Sequence, residues 1–433
     1  MWNYLYDNFG IEANYLIHEN KQHGAEKLNW IPKSTDLLII PDASSNEPEL
    51  LRSIQEEGID VLVIDHHLIS VDNEGICVIN NQDGSYPNTT LSGAGVVFKF
   101  LQQVDKEFGI NSAENYIDLA AVGCIGDVMD LSDLETHYIV EKGLNNIRNN
   151  GLKTFINKQT FSIKDPDNLT PIDIAFYIVP LVNAIIRVGS NYDKEVLLKA
   201  FIKYSNEVIP STKRGKKPGD TEIVAEQAFR LATNAKNRQK KTKEKAVELI
   251  KLKIEKEELN NNKILIIPLN DFESSQVDAN LTGLIAMELV NYYNKPVILV
   301  RKTIEGDFKG SIRSDTLFFP NFKDFLVDTK CFTYVEGHEA AAGCAIKSGR
   351  EIERFINKAN EELKDYDFSE KTYFVDYSFD SSEEALIYKL AKEIGSYEKL
   401  WGKGIEEPYV EIKNVPINEN YILMGETKNS FKK

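Results

Sequence analysis

Val61-Leu62-Val63-Ile64-Asp65-His66-His67 decides how the rest of the chain is read. Four apolar, mostly β-branched residues form the pattern of a buried strand, and an acid and two imidazoles follow at once. In an open α/β sheet, ligands bind in the loops at the carboxyl ends of the strands, so Asp65, His66 and His67 are delivered to that edge. Taken alone, three adjacent donors are a weak signal for a divalent cation.

Working outward, Leu37-Leu38-Ile39-Ile40 reads as a second buried strand ending at Pro41-Asp42, and Ala43-Ser44-Ser45-Asn46 is a turn rich in helix-capping residues. A helix through Leu50, Leu51 and Ile54 closes near Gly58, which makes a βαβ unit. Its right-handed crossover sets the strands parallel, so Asp42 and Asp65 emerge at one edge of the sheet. Ile76 to Asn81 is a further apolar run, and Leu91 to Val97 opens a helix with small residues. Those glycines serve either a phosphate facing backbone amides or close helix packing. Tyr116 to Ile125 is apolar nearly all round and is expected to be a buried helix, from which Asp127 emerges. A carboxylate at such a point needs a metal, a helix cap or an arginine as partner.

At 433 residues and 42% hydrophobic content, two or three domains are expected. Cys77, Cys124, Cys331 and Cys344 show no CxxC spacing, which argues for a reducing compartment without a zinc knuckle. No apolar run reads as a membrane span and no signal peptide is visible, so a cytoplasmic protein that makes no membrane contact is expected. The net charge of −16 excludes a protein coated in nucleic acid. It leaves room for a basic channel, with Lys213 to Lys217 and Lys236 to Lys245 as local concentrations, each of which taken alone reads more readily as a solvated helix face.

Trp2, Leu5, Tyr6 and Phe9 have helical spacing, and Asn14 to Ile17 reads as a strand. Residues 220 to 258 predict one long charged helix bridging two bodies. A second α/β unit begins at Ile264-Leu265-Ile266-Ile267 and continues through a small-residue helix near Gly283 and a strand at Val297 to Val300. Near its end, Gly310 and Gly343 permit close backbone approach, and Arg313, Ser314 and His338 are donors suited to phosphate oxygens.

With Asp42, Asp65-His66-His67 and Asp127 in this order, the sequence resembles the DHH phosphoesterase superfamily, its RecJ-type single-strand exonucleases above all, over nearly the whole chain. His23-Gly24 and Leu28 resemble the family's glycine-rich segment, and Ala121 to Val128 its fourth motif. Glu135 and Gly143-Leu144 resemble the continuation. Pro180, Asn183, Ala184 and Arg187 match a further stretch, with Leu181 and Ile186 in place of the usual Arg and Gly. Lys309 to Ser314 and Gly337-His338 resemble the substrate motifs of the DHHA1 domain, with Glu336 where the family commonly has Gly. A strand near Tyr373 to Asp376, a helix near Leu386 to Ile394, and strands at Pro408 to Ile412 and Tyr421 to Met424 resemble the start of an OB-type domain.

The resemblance implies an α/β protein with a parallel-sheet DHH domain (1–190), a linker with a long bridging helix (191–260), a smaller α/β DHHA1 domain (261–367) and a partial OB-like segment (368–433). It implies two Mn²⁺ or Mg²⁺ ions, with Asp42 bridging them and His66 and Asp127 on the second. Asp65 would orient a ligand and His67 would face the phosphate, so that Asp65, His66 and His67 are the expected catalytic residues. Arg313, Ser314, Gly337, His338, Asn183 and Arg187 are the expected substrate contacts. The implied activity is exonucleolytic hydrolysis of single-stranded DNA, 5′ to 3′, in replication, repair or recombination, with a single-strand-binding or replication protein as a further partner. The alternatives are a phosphodiesterase of short oligonucleotides or cyclic dinucleotides, and a non-catalytic binding protein. The family's first motif, two acids one residue apart, has no counterpart before the Trp2 helix. The expectation is therefore a shortened piece rather than a decayed variant, with little Mn²⁺-dependent nuclease activity of its own.

Overall fold

The protein is described from a computed structural model covering residues 1–18, 24–25, 31–317, 319–368, 374–416, 423–424 and 431–432. His23, Leu28, Tyr373, Tyr421 and Ile422 lie outside the described residues. Helix α1 (Trp2–Phe9) is followed by an irregular segment, so Asn14 to Ile17 is not a strand. Its side chains bond to distant helices instead of to a sheet, as when the Tyr15 hydroxyl donates to Glu195.

Strand β1 (Leu37–Pro41), helix α2 (Pro48–Glu56), strand β2 (Asp60–Asp65) and strand β3 (Cys77–Asn80) form the anticipated parallel unit, with β2 central. Alternation in β2 sorts its side chains to two cores. Val61 and Val63 pack with Leu51 and Ile54 of α2, and Ile64 packs with Tyr4 and with helix α3 (Gly93–Phe108). The register sets Pro41 opposite Ile64 and Asp65 opposite Asn80, so Asp42 and Asp65 leave the sheet at one level.

Helix α4 (Ile117–Gly126) is buried beneath α3 and packs closely on α5 (Leu134–Leu144). The approach depends on Gly143, where a Cβ would lie 2.4 Å from the Ala121 Cβ and 2.7 Å from the Ile117 carbonyl. Helix α6 (Asn150–Asn157) leads to α7 (Pro171–Asp173), a π-helical turn (Ile174–Ile178) and α8 (Val179–Val188), then α9 (Asn191–Phe201). By length and composition Pro171–Val188 is long and apolar enough to cross a membrane, contrary to the sequence reading. Ile174, Ile178, Leu181, Ala184 and Ile185 are buried in a core shared with the bridging helix, as in the core helix of a globular domain.

A short hairpin, β4 (Val208–Pro210) and β5 (Thr221–Ile223), precedes α10 (Val224–Lys256), whose 33 residues span about 50 Å. Ala225, Ala228, Leu231, Ala232 and Ala235 belong to the first core; Ala246, Val247, Ile250 and Ile254 belong to the second. One helix thus carries both bodies. In the second, β6 (Leu265–Leu269), α11 (Asp271–Gln276), α12 (Thr282–Tyr293), β7 (Val297–Lys302), β8 (Phe308–Arg313), α13 (Phe322–Thr329), β9 (Tyr334–His338), β10 (Ala341–Ile346) and α14 (Gly349–Glu362) build a sheet of order β6-β7-β8-β10-β9, parallel only between β6 and β7.

Where the sequence suggested opening strands of a barrel, β11 (Tyr377–Asp380) and β12 (Val410–Lys413) pair in parallel, with α15 (Glu384–Ser396) between them. A parallel pair requires such a crossover, and α15 supplies it where the sequence predicts a helix near Leu386 to Ile394.

Gly143→Ala is expected to cost roughly 1–3 kcal/mol of stability, as overpacking at a closed helix contact does. Urea unfolding followed by circular dichroism measures it; an unchanged midpoint would show that α4 and α5 are free to separate.

Candidate functional site

The site begins with a backbone constraint. Asp42 follows β1 in the left-handed region, at φ 65°, and its amide donates to the Ile64 carbonyl at 2.8 Å. Aspartate tolerates this region better than most residues, and such conformations concentrate at functional positions. The carboxylate is turned over the first residue of α3, where a Cβ on Gly93 would come within 2.3 Å of Asp42 Oδ1. Close packing of α3 on α4, one of the two roles open for the small residues there, is seen at Gly95 and Gly123, where a Cβ would lie 3.3 Å from Cys124 Sγ and 2.4 Å from the Ala94 Cβ. Ser92 caps the helix, accepting from the Gly95 amide at 3.2 Å.

Asp127 arrives from the opposite side, as the C-cap of α4. A carboxylate at a helix C-terminus faces the negative end of the helix dipole and is unfavourable there without a cationic partner. His66 supplies one. Its Nε2 lies 3.0 Å from Asp127 Oδ2 and 3.3 Å from Asp42 Oδ1. Burial alone would lower the His66 pKa, but the neighbouring Asp127 and Asp42 carboxylates outweigh it and raise it above the usual value. Burial raises Asp42, aided by the charges of Asp127 and Asp65 and opposed by the two histidines. The His66 hydrogen bond lowers Asp127, against its burial, and His338 contributes to that lowering.

Asp65 is saturated instead of shared. Its Oδ1 accepts from His67 Nδ1 and the His66 amide, both at 2.7 Å, and its Oδ2 accepts from the Ser45 amide at 3.2 Å. Burial would push this carboxyl up, yet those bonds hold it far below the usual carboxylate range. The bond to Asp65 in turn raises His67. Ligand atoms of Asp42, Asp65, His66 and His67 all lie within 4.8 Å of one another. A supporting residue that the sequence reading passed over is Asn80, whose side-chain amide donates to Ser45 Oγ and the His67 carbonyl at 3.0 and 2.9 Å. Its signal was a polar pair, Asn80-Asn81, closing a strand beside the one that ends at Asp65.

The other expected residues divide into two groups. Asn183 lines the same cavity as Asp42 and Asp127, a space of about 340 Å³. Arg187, one turn further along α8, lies close enough to Arg313 on β8 to lower its pKa, although burial is the larger cause there. Gly283 on α12 makes room for this guanidinium, since a Cβ there would sit 2.5 Å from Arg313 Nη2. Ser314 is buried, and its Oγ has no hydrogen-bond partner among the described residues. Gly337, at φ 132°, and Gly310 relieve contacts within the sheet, because a Cβ on either would strike a neighbouring strand's backbone. Of the substituted positions, Leu181 is buried in the core and Ile186 is exposed.

The basic runs also separate. Lys213 and Lys216 pair with Glu222 and Asp220. In the second run Arg238 pairs with Asp193 and Lys243 with Glu288, while Lys236 has no ion pair among the described residues and burial lowers its pKa.

Oxygen donors and an imidazole are thus collected at the carboxyl edge of a parallel sheet, with a second α/β body joined to it by the bridging helix. Residues 1–124 match the DHH family, N-terminal domain. A prophage-derived protein of Bacillus subtilis, YorK, named as a single-strand DNA-specific exonuclease, is 37% identical over 415 residues, which is 94% of this chain and 70% of that protein. The single-stranded-DNA-specific exonuclease RecJ of Haemophilus influenzae is 25% identical, covering 93% of this chain and 68% of that one. The crystal structure of Thermus thermophilus RecJ in complex with Mn²⁺ superposes with a TM-score of 0.66 at 20% identity, over 93% of this chain and 55% of that one. The chain belongs to the DHH family, among its RecJ-like members.

Asp127→Asn is expected to lower the His66 pKa, since it removes the carboxylate that most raises it. An NMR titration of the imidazole resonances reads the change; an unmoved pKa would contradict the pairing.

Proposed function

We propose that this chain is the catalytic part of a RecJ-like, metal-dependent exonuclease that hydrolyses phosphodiester bonds of single-stranded DNA from the 5′ end. The observation that carries the reading is one imidazole nitrogen, His66 Nε2, facing two carboxylates. A single N–H cannot satisfy both, and about 3 Å from the nitrogen to each oxygen is the separation of adjacent ligands on a hard cation with bonds of roughly 2.1 Å. The donor set fits Mn²⁺ or Mg²⁺ and lacks the thiolates that would favour zinc.

Asp42, His66 and Asp127 would hold the ion, which when bound lowers the pKa of water and neutralises phosphate charge. Asp65 fixes the His67 ring through Nδ1. With its raised pKa, His67 offers a charged or hydrogen-bonding group to a phosphate oxygen. Asn183 lies on the wall beside the carboxylates, and His338 brings a donor from the second body towards Asp127. Arg187, Arg313 and Ser314 suit a neighbouring phosphate, and Lys236 suits the backbone beyond it. A cytoplasmic setting and a single-strand-binding protein as partner belong to this same reading.

Two measurements test it. Mn²⁺ affinity is expected to be constant above the raised His66 pKa and to weaken as pH falls through it, because the ion and a proton compete for Nε2. Calorimetry across pH 5–8 reads this, and a pH-independent affinity contradicts it. On 5′-labelled DNA with Mn²⁺, residues 1–433 are expected to release mononucleotides from single strands only slowly, since the family's first acidic motif has no counterpart before the Trp2 helix, and to spare duplex. His66→Ala and Asp127→Asn should each reduce the rate at least roughly 100-fold. Turnover confined to two- to five-nucleotide substrates would favour the short-oligonucleotide reading, and none at all, with no Mn²⁺ bound, a binding protein.

A further inference from the structure

Asp127 leaves α4 through a backbone that the sequence itself disfavours. The next residue, Val128, lies in the left-handed region at φ 57°, at a helix C-terminal position that glycine usually fills. A β-branched residue there is an outlier, and such a conformation persists only where the surroundings hold it. The Val128 side chain supplies little of that hold, being 64% exposed. The hold comes from the residues that follow. The Met129 amide donates to the Cys124 carbonyl at 2.9 Å, and Leu131 is buried in the first core.

Leu131 is also gripped from outside that core. Its amide donates to the Lys403 carbonyl at 2.7 Å, in the stretch between α15 and β12. Gly402 to Ile405 form a tight turn, closed by the Gly402 amide on the Ile405 carbonyl at 2.9 Å and the reverse bond at 3.1 Å. Gly404 has φ 84°, the left-handed third residue of a type II turn. Both glycines are pressed against the loop that follows Asp127. A Cβ on Gly402 would lie 2.5 Å from Leu131 Cδ1, and one on Gly404 would overlap Asp130 Oδ1, which accepts from the Ser132 amide. Ile405 packs on the first core, and Lys399 Nζ donates to Asn145 Oδ1 at 2.9 Å, so the turn is seated on both sides.

We propose that the turn Gly402 to Ile405 is a positioning element for the metal site: by holding Asp130 and Leu131 it keeps Val128 left-handed and so aims the Asp127 carboxylate at His66. This rests on the reading of Asp127 as a metal ligand. The C-terminal βαβ unit, remote from the carboxylates in sequence, thereby sets the geometry of one of them. A turn that merely attached this unit would leave Asp127 where it is when the turn is broken.

Gly404→Pro breaks it, since a proline ring cannot take a positive φ. The full chain is compared with wild type by calorimetry with Mn²⁺ and, without metal, by the NMR resonances of the His66 imidazole. Mn²⁺ is expected to bind roughly 10- to 100-fold more weakly, as when other supports of a metal ligand are lost. The metal-free His66 resonances are expected to move with it. Adding Val128→Gly, which takes the left-handed conformation without help, is expected to restore most of the affinity and the resonance positions. Gly395→Ala, on α15 with open space around it, is expected to change neither readout. A lower melting temperature for Gly404→Pro with affinity and resonances unmoved would overturn the proposal, and so would a loss that Val128→Gly leaves unrestored. A wild type that binds no Mn²⁺ but shows the same movement and recovery of the His66 resonances would sink the metal reading and leave the positioning standing. Tight Mn²⁺ binding that is indifferent to Gly404→Pro would do the reverse.

Discussion

One imidazole nitrogen held between two carboxylates is the arrangement on which the first body depends. His66 comes from the strand edge, Asp42 from the neighbouring strand through a left-handed residue, and Asp127 from the far end of a buried helix. Each is in an unfavourable place by itself. A carboxylate at a helix C-terminus, an imidazole with an almost wholly buried side chain and a strained backbone are compensated only when the three meet. The saturated Asp65 makes the meeting precise, because the bonds it accepts from His66 and His67 fix the turn after the strand.

That convergence places strict demands on small residues. Gly93 must leave space for the Asp42 carboxylate, and Gly143 must let α5 approach α4. The bridging helix imposes the other demand. By burying alanines in one core and aliphatic residues in the next, α10 fixes how the second body faces the site. His338 and Arg313 consequently approach groups of the first body, Asp127 and Arg187, from an independent sheet.

Much of this was legible in the sequence because the signals were periodic or local. The strand before Asp65, the crossover from Asp42, the apolar α4 and the long charged helix all follow from patterning. The positions that misled carried equally strong local signals but a different tertiary context. Asn14 to Ile17 is β-prone, yet among the described residues no strand pairs with it. Pro171 to Val188 reads as short apolar pieces because Asp173, Pro180, Asn183 and Arg187 interrupt it, whereas the folded chain runs through them as one helical stretch. Asn80 was missed because its role depends on hydrogen bonds to Ser45 and to the His67 carbonyl, distant in sequence. The helix between the last two strands was legible from its spacing, whereas their parallel pairing is a property of chain path alone.

The account stands or falls on what occupies the space between His66, Asp42 and Asp127. Anomalous diffraction from crystals of this protein grown with Mn²⁺ measures that directly. The account predicts a manganese peak within bonding distance of His66 Nε2 and of one oxygen from each carboxylate. No peak there, or manganese bound only elsewhere while His66 still bridges the two acids, would contradict it.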